Sequence, residues 1–194
     1  MIIGITGGTG CGKTTLLHLI REAGGLVLDC DRIYHDLLKT DPSLLVAIEE
    51  AFPGTVVGGQ LDRKKLGSLV FSDETALKQL NRITHGAVKQ EVLRQLDSRP
   101  ALAAIDAIGL FEGQLEELCQ VTVAVTAPRE ARIRRLMARD NIPESYAAQR
   151  IDAQHDNSWF REKCGYCLEN DGSELDFRNK CLAFLKQLGI MKEN

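Results

Sequence analysis

Gly7-Gly8-Thr9-Gly10-Cys11-Gly12-Lys13-Thr14 follows the apolar run Ile2-Ile3-Gly4-Ile5-Thr6 and precedes Thr15-Leu16-Leu17-His18-Leu19-Ile20. The eight residues fit G-x-x-x-x-G-K-[ST], and a strand before them and a helix after them is the context that gives the pattern its meaning. Glycines let backbone N–H groups converge on phosphate oxygens without Cβ clashes. The helix that follows turns the positive end of its dipole toward the anion. The Lys13 ammonium reaches β- and γ-phosphates, and the Thr14 hydroxyl suits Mg²⁺. Gly8, Gly10, Cys11, Gly12, Lys13, Thr14 and Thr15 are therefore the candidate ATP contacts, with Thr14 the candidate metal ligand.

Outward from this loop, Leu16, Leu17, Leu19 and Ile20 mark the helix, and Gly24-Gly25 ends it as a left-handed cap would. Leu26-Val27-Leu28 is a second buried strand, so the first 28 residues form a βαβ unit with a parallel sheet. Strands resume at 102–105 and 121–125, and a last short one is expected at 166–168. Between them, residues 32 to about 98 carry helical patterning, with helices expected over 32–39, 43–51 and 73–97. Further helices are expected over 129–139 and 174–188. The fold class is α/β: a three-layer P-loop NTPase fold with a parallel central sheet, a helical substrate-binding insertion and an Arg-rich lid. One domain spans 1–194, with the insertion at roughly 32–98 and the lid at roughly 129–160.

Composition narrows the function. The chain has 194 residues with 44% hydrophobic and 26% charged, an ordinary globular balance. Its net charge of −3 argues against a basic nucleic-acid binder. No apolar run approaches the roughly 18 residues of a membrane helix, and the N-terminus lacks the positive region of a signal peptide. A cytoplasmic protein is expected, with no membrane or nucleic-acid partner, as a monomer or weak homo-oligomer. Its six cysteines then read as reduced thiols. Cys164 and Cys167 have metal-site spacing, but no second pair accompanies them, which favours a structural role.

A guanine reader would need Asn-Lys-x-Asp, and Asn179-Lys180 is followed by Cys181-Leu182. The short chain, its insertion and its Arg-rich helix instead suit a small-molecule kinase, which must enclose ATP and acceptor to exclude water. Asp29 and Asp31 follow the second strand, at the sheet edge where such folds bind ligands. Strand alternation puts both on one side if the strand continues. Asp31 is the candidate catalytic carboxylate. Capping of the helix that begins near Arg32 is the alternative for either residue. Asp106, after Ile105, resembles a Walker-B aspartate that holds Mg²⁺ through water, or else simply starts a loop. Arg132, Arg135 and Arg139 share one helical face, opposite Ile133, Leu136 and Met137. Guanidinium groups there suit phosphate, though a run of charge is also the mark of a solvated face.

Assembled, these residues resemble the dephospho-CoA kinase family over nearly the whole chain. Beyond the loop, the resemblance rests on Asp29-Cys30-Asp31, Leu61-Asp62-Arg63, Val70-Phe71, Thr84-His85-Gly86 and the run Asp106 to Glu112. It continues in Arg135-Leu136-Met137-Ala138-Arg139, Arg150-Ile151 with Gln154, and Asn170-Asp171-Gly172. The chain departs from the family at Gly86 in place of Pro, Ile108-Gly109 in place of Pro-Leu, and Cys164-Gly165 in place of Ala-Asp. The resemblance implies transfer of a phosphoryl group from ATP to the ribose 3′-hydroxyl of dephospho-CoA. It implies that Asp31 orients or deprotonates that hydroxyl while Lys13, Mg²⁺ and Arg139 stabilise the transferred group. Arg135 and Asn170 are implied as ATP contacts. Asp29, Arg63, His85, Asp106 and Glu112 are implied as acceptor contacts, with a structural role the alternative for His85. A kinase for another nucleoside or small alcohol is the alternative reaction, and a non-catalytic ATP-binding module the alternative class.

Overall fold

The computed structural model describes residues 1–70 and 72–191. Phe71, the second residue of the Val70-Phe71 pair, lies outside them. The chain forms two compact units. The first comprises Met1–Leu28, Pro100–Phe111 and Leu115–Asn194, and the second Asp29–Arg99 with Glu112–Gln114.

The first unit is built on a five-stranded sheet of β1 (Ile2–Thr6), β2 (Leu26–Asp29), β5 (Ala103–Asp106), β6 (Val121–Thr126) and β7 (Tyr166–Glu169). The spatial order is β2-β5-β1-β6-β7. β1 runs parallel to both β5 and β6, and β6 parallel to β7. The register sets Ile5 beside Asp106 and Thr6 beside Ala124, so β1 and β5 end alongside β6 where the glycine loop begins. Ile3, Ile5, Ala104, Val123 and Val125 are buried, as strands covered on both faces must be. Helices α1 (Lys13–Glu22) and α9 (Glu174–Gln187) contribute Leu16, Leu17, Leu19, Ile20, Phe177, Phe184 and Leu185 to that core. Each such side chain stabilises the fold by about 1.5–3 kcal/mol when fully buried. α9 starts at a capping box in which Ser173 and Asp176 satisfy each other's backbone. The helices α6 (Arg129–Asp140) and α7 (Glu144–Asp152) pack through Ile133, Leu136, Ala147 and Ile151. Helix α8 (Asn157–Lys163) leads into β7.

The second unit is helical. It holds α2 (Cys30–Thr40), α3 (Pro42–Ala51), α4 (Arg63–Val70) and α5 (Glu74–Leu96), with a hairpin of β3 (Val56–Val57) and β4 (Gln60–Leu61). Leu38, Leu44, Ile48, Phe52, Leu66 and Val70 form its core. Asp41 and Asp73 cap α3 and α5. The three anticipated helices correspond to α2, α3 and α5, while the hairpin and α4 went unanticipated. Gly58 and Gly59 both take positive φ and form the two-residue turn of that hairpin. α4 spans eight residues, too few to show a clear period. Among the described residues no helix is long and apolar enough to cross a membrane.

Candidate active site

The loop between β1 and α1 is bound by its own carbonyls. The Lys13 Nζ donates to the Gly7 carbonyl at 2.8 Å, and the Cys11 N–H donates to that of Gly8. The Thr9 carbonyl accepts from Arg132 Nε at 2.9 Å and that of Gly10 from Arg135 Nη1 at 3.1 Å. The Cys11 carbonyl accepts from Asn170 Nδ2 at 2.8 Å, and the Gly12 carbonyl from the Thr15 N–H. From Gly7 to Gly12, every backbone carbonyl of the loop is thus held by a protein donor. A trans peptide points its N–H opposite its C=O. The N–H groups that follow the anchored carbonyls of Thr9 and Cys11, those of Gly10 and Gly12, therefore face away from the arginines and Asn170.

α1 begins at Gly12 with φ of 99° and no side-chain cap. A helix N-terminus left uncapped in this way offers its first N–H groups to an anion. Only glycine fits at residue 12, because its φ is positive and a Cβ would collide with Asn170. Lys13 Nζ lies 3.9 Å from Asp106 Oδ1 at the end of β5, where register brings the carboxylate beside the loop. Thr14 is exposed and Thr15 half-buried in the first turn of α1. The Thr14 hydroxyl and Asp106 carboxylate are hard oxygen donors, the type that Mg²⁺ takes.

The arginine helix divides its charges. Arg132 is only 3% exposed, so the solvated-face expectation fails for it. Arg135 bonds the loop carbonyls and, through Nη2, Asn170 Oδ1 at 3.1 Å. Arg139 is solvent-facing and grips Asp140 with Nε and Nη2 at 2.7 and 2.9 Å. Arg150 of α7 binds the same carboxylate at 2.6 Å. The two guanidinium groups, Arg139 first, hold the Asp140 carboxyl down at about 2. Cys11 is buried, and burial pushes its thiol up, against the opposing pull of Lys13, Arg132 and Arg135.

β2 ends at Asp29 and α2 begins at once, so the anticipated strand alternation from Asp29 to Asp31 does not occur. Asp29 is the cap, accepting from the Arg32 N–H at 3.0 Å. Asp31 stands exposed in the first turn, on the same face as His35 one turn later. His35 Nδ1 meets Arg63 Nη2 at 3.2 Å. His85 lies on α5 in a cavity of about 520 Å³ with Lys78, Asn81, Arg82, Lys89 and Glu112. Gly86 also borders a second cavity of about 640 Å³, whose apolar wall includes Leu37, Leu44, Ile83 and Ala87. A Cβ at Gly86 would meet nothing within 4 Å, so the departure from Pro there leaves open space. Sequence patterning gave no individual role to Arg132, Gln154 or His35. The available signals were helical spacing for two of them, Arg132 lying three residues before Arg135 and His35 four after Asp31, and the family resemblance for Gln154.

The dephospho-CoA kinase family model matches residues 1–176. The chain belongs to the dephospho-CoA kinase family. A dephospho-CoA kinase of Thermus thermophilus is 36% identical over 97% of this chain and 92% of its own length. The crystal structure of TT1252 from Thermus thermophilus shares 36% identity, covers 97% of both chains and superposes with a TM-score of 0.81. A dephospho-CoA kinase from Campylobacter jejuni, 26% identical, covers 98% of both chains with a TM-score of 0.67. Family and fold make this member of the dephospho-CoA kinases a P-loop kinase, as the loop, insertion and Arg-rich helix anticipated.

Proposed function

We propose that the protein transfers the γ-phosphoryl group of ATP to the ribose 3′-hydroxyl of dephospho-CoA, giving coenzyme A and ADP, the final step of coenzyme A synthesis. The observation that carries this is the match to dephospho-CoA kinases along the chain, joined to a loop whose carbonyls are all turned onto protein donors. The N–H groups of Gly8, Gly10, Gly12, Lys13 and Thr14 would receive the phosphates, with Cys11 shaping the loop between them and the Thr15 N–H holding the Gly12 carbonyl. Arg135 and Asn170 would support the nucleotide from the carbonyl side. Thr14 and Asp106 are the residues that would hold Mg²⁺, whose charge favours the β- and γ-oxygens.

Asp31 accepts or orients the 3′-hydroxyl proton as the new O–P bond forms and the bond to ADP breaks. Lys13 and Arg139 stabilise the charge on the equatorial oxygens. Arg139 must exchange Asp140 for phosphate, and Arg150 remains to balance Asp140 when it does. Arg63, His85, Glu112 and Asp29 are proposed for the acceptor side, with Asp29 acting as the cap that fixes the start of α2. The cationic cavity on α5 suits a diphosphate, and the apolar one beside Gly86 suits a pantetheine arm. The six cysteines, all free thiols, support a reducing, cytoplasmic location.

An assay of ADP release with dephospho-CoA, adenosine, uridine and pantetheine as rival acceptors tests the proposal. Turnover is expected with dephospho-CoA well above the other three. Preference for a different acceptor would replace the substrate, and no acceptor-dependent release would remove the enzymatic reading.

A further inference from the structure

Thr9 is gripped at both polar groups of its backbone. Its N–H donates to Gln154 Oε1 at 2.8 Å, and its carbonyl accepts from Arg132 Nε at 2.9 Å. Arg132 Nη2 in turn donates to the same Gln154 Oε1 at 3.0 Å, which closes a ring of three hydrogen bonds. Arg132 enters from α6, and Gln154 sits just past the end of α7. Arginine is almost never so buried unless its donors are used. Burial pulls the Arg132 pKa below the usual arginine value, yet a guanidinium remains charged at neutral pH. Room for it exists because residue 8 is glycine: a Cβ there would lie 2.7 Å from Arg132 Cζ and 2.9 Å from Gln154 Oε1.

We propose that Arg132 and Gln154 form a latch that sets the phosphate loop for nucleotide binding. They are positioning residues, since both act through Thr9. The proposal rests on the nucleotide reading above and assigns that site two further residues. Holding the Thr9 carbonyl on Arg132 obliges the Gly10 N–H to face the other way. Releasing the carbonyl lets this peptide turn over and present oxygen to phosphate, so that repulsion replaces attraction. A guanidinium fork serves the Thr9 carbonyl and Gln154 together in fixed geometry, which a lysine ammonium does not. The bland alternative is that the ring merely packs α6 and α7 onto the sheet. That role would lower stability without touching nucleotide affinity.

Calorimetric titration with ADP, in the absence of any acceptor, separates the two. Arg132→Ala and Arg132→Lys are expected to raise the ADP Kd about tenfold or more, as loss of a charged hydrogen bond would. Gln154→Ala should weaken ADP by less, and the double variant no further than Arg132→Ala alone, because one ring is broken once. In turnover, KM for ATP should rise while KM for dephospho-CoA stays within about twofold. Thermal melts and circular dichroism establish that each variant is folded. If Arg132→Ala does not fold, Arg132→Lys and Gln154→Ala decide. ADP affinity within about twofold of wild type in the folded variants, fully additive losses, or equal rises in both KM values would each overturn the latch. Wild-type protein that binds no ADP would overturn the nucleotide reading itself, whereas wild type that binds ADP but ignores dephospho-CoA would refute only the acceptor.

Discussion

Around Thr9 and Cys11 the polar groups are buried and their partners belong to the protein, whereas on α2, α4 and α5 they stand at the surface. Arg132 and Asn170 are 3% and 5% exposed and bond backbone carbonyls of the loop. Asp31, Arg63 and Arg82 are exposed, and the Arg63–His35 contact joins two surface side chains. A buried polar group left unpaired costs about 1–3 kcal/mol, so the loop can keep only the arrangement in which each is satisfied. Surface groups carry no such penalty and are free to reorganise around a ligand. In the proposed reaction the phosphate end would thus be set before its ligand arrives, while the acceptor end would gain its geometry from what binds. Substitutions should divide accordingly: changes on the displayed side act on chemistry with little effect on stability, and changes behind the loop act on binding.

The largest effect is expected at Asp31. Asp29 holds the capping bond of α2, so Asp31→Asn leaves the helix start intact. The phosphoryl-transfer rate should fall by about 10²–10⁴, the contribution of a positioned general base. The ADP Kd and melting temperature should hold. Stopped-flow or quench-flow rates beside calorimetry check both halves. A rate near wild type would remove Asp31 from the chemistry and erase the proposed function of that face.

Next comes Lys13. Its ammonium touches the Gly7 carbonyl and stands 3.9 Å from Asp106 without packing in the core. Lys13→Ala should lower kcat by about 10²-fold or more, as removal of one electrostatic donor does, and the chain should still fold. Retention of more than about a tenth of the activity would show that the loop backbone and its arginines suffice.

How far the sequence reached follows from the range of each interaction. β1, the glycine loop and α1 are contiguous, and their periodicities and G-x-x-x-x-G-K-T spacing are local signals, so their place was legible. The partners of the loop carbonyls are not local. Arg132 meets Thr9 across 123 positions, Gln154 meets it across 145, and Asn170 meets Cys11 across 159. The family resemblance supplied Asn170 and Gln154 as matching positions, but not what they grip. Arg132 looked like one member of a charged face, since burial depends on what packs over it. The division of labour between Asp29 and Asp31 turned on a strand ending earlier than alternation would need. Such boundaries lie below what propensity resolves.

Asp29 tests that division with a smaller effect. Asp29→Ala removes the bond to the Arg32 N–H and should lower stability by about 1 kcal/mol, read as a shift of the urea midpoint at constant slope. Asp29→Asn should restore most of it, because the two residues cap about equally. An alanine variant as stable as wild type but inactive would instead make Asp29 an acceptor contact first and a cap second.

The smallest effect belongs to Asp140, on the solvent side of the arginine helix. Its carboxyl is held at about 2, below the usual 3.8, by hydrogen bonds from Arg139 first and then Arg150. A depressed carboxyl pKa stabilises the fold fully above the unfolded value, and that stabilisation is lost as pH falls from 3.8 through about 2. Solvent screens this group, so the contribution is small. The stability gap between wild type and Asp140→Asn should accordingly be present near neutral pH and narrow on acidification across that window. Urea midpoints measured for both proteins from about pH 6 down to about pH 2 follow it. A gap of constant size would mean that Asp140 acts through shape and not charge. Arg139 would then owe its position to the turn after α6, and its exchange from Asp140 to phosphate would lose its basis. Salt gives an independent check, because Debye screening at about 1 M should shrink the neutral-pH gap and leave the loop's buried bonds unchanged.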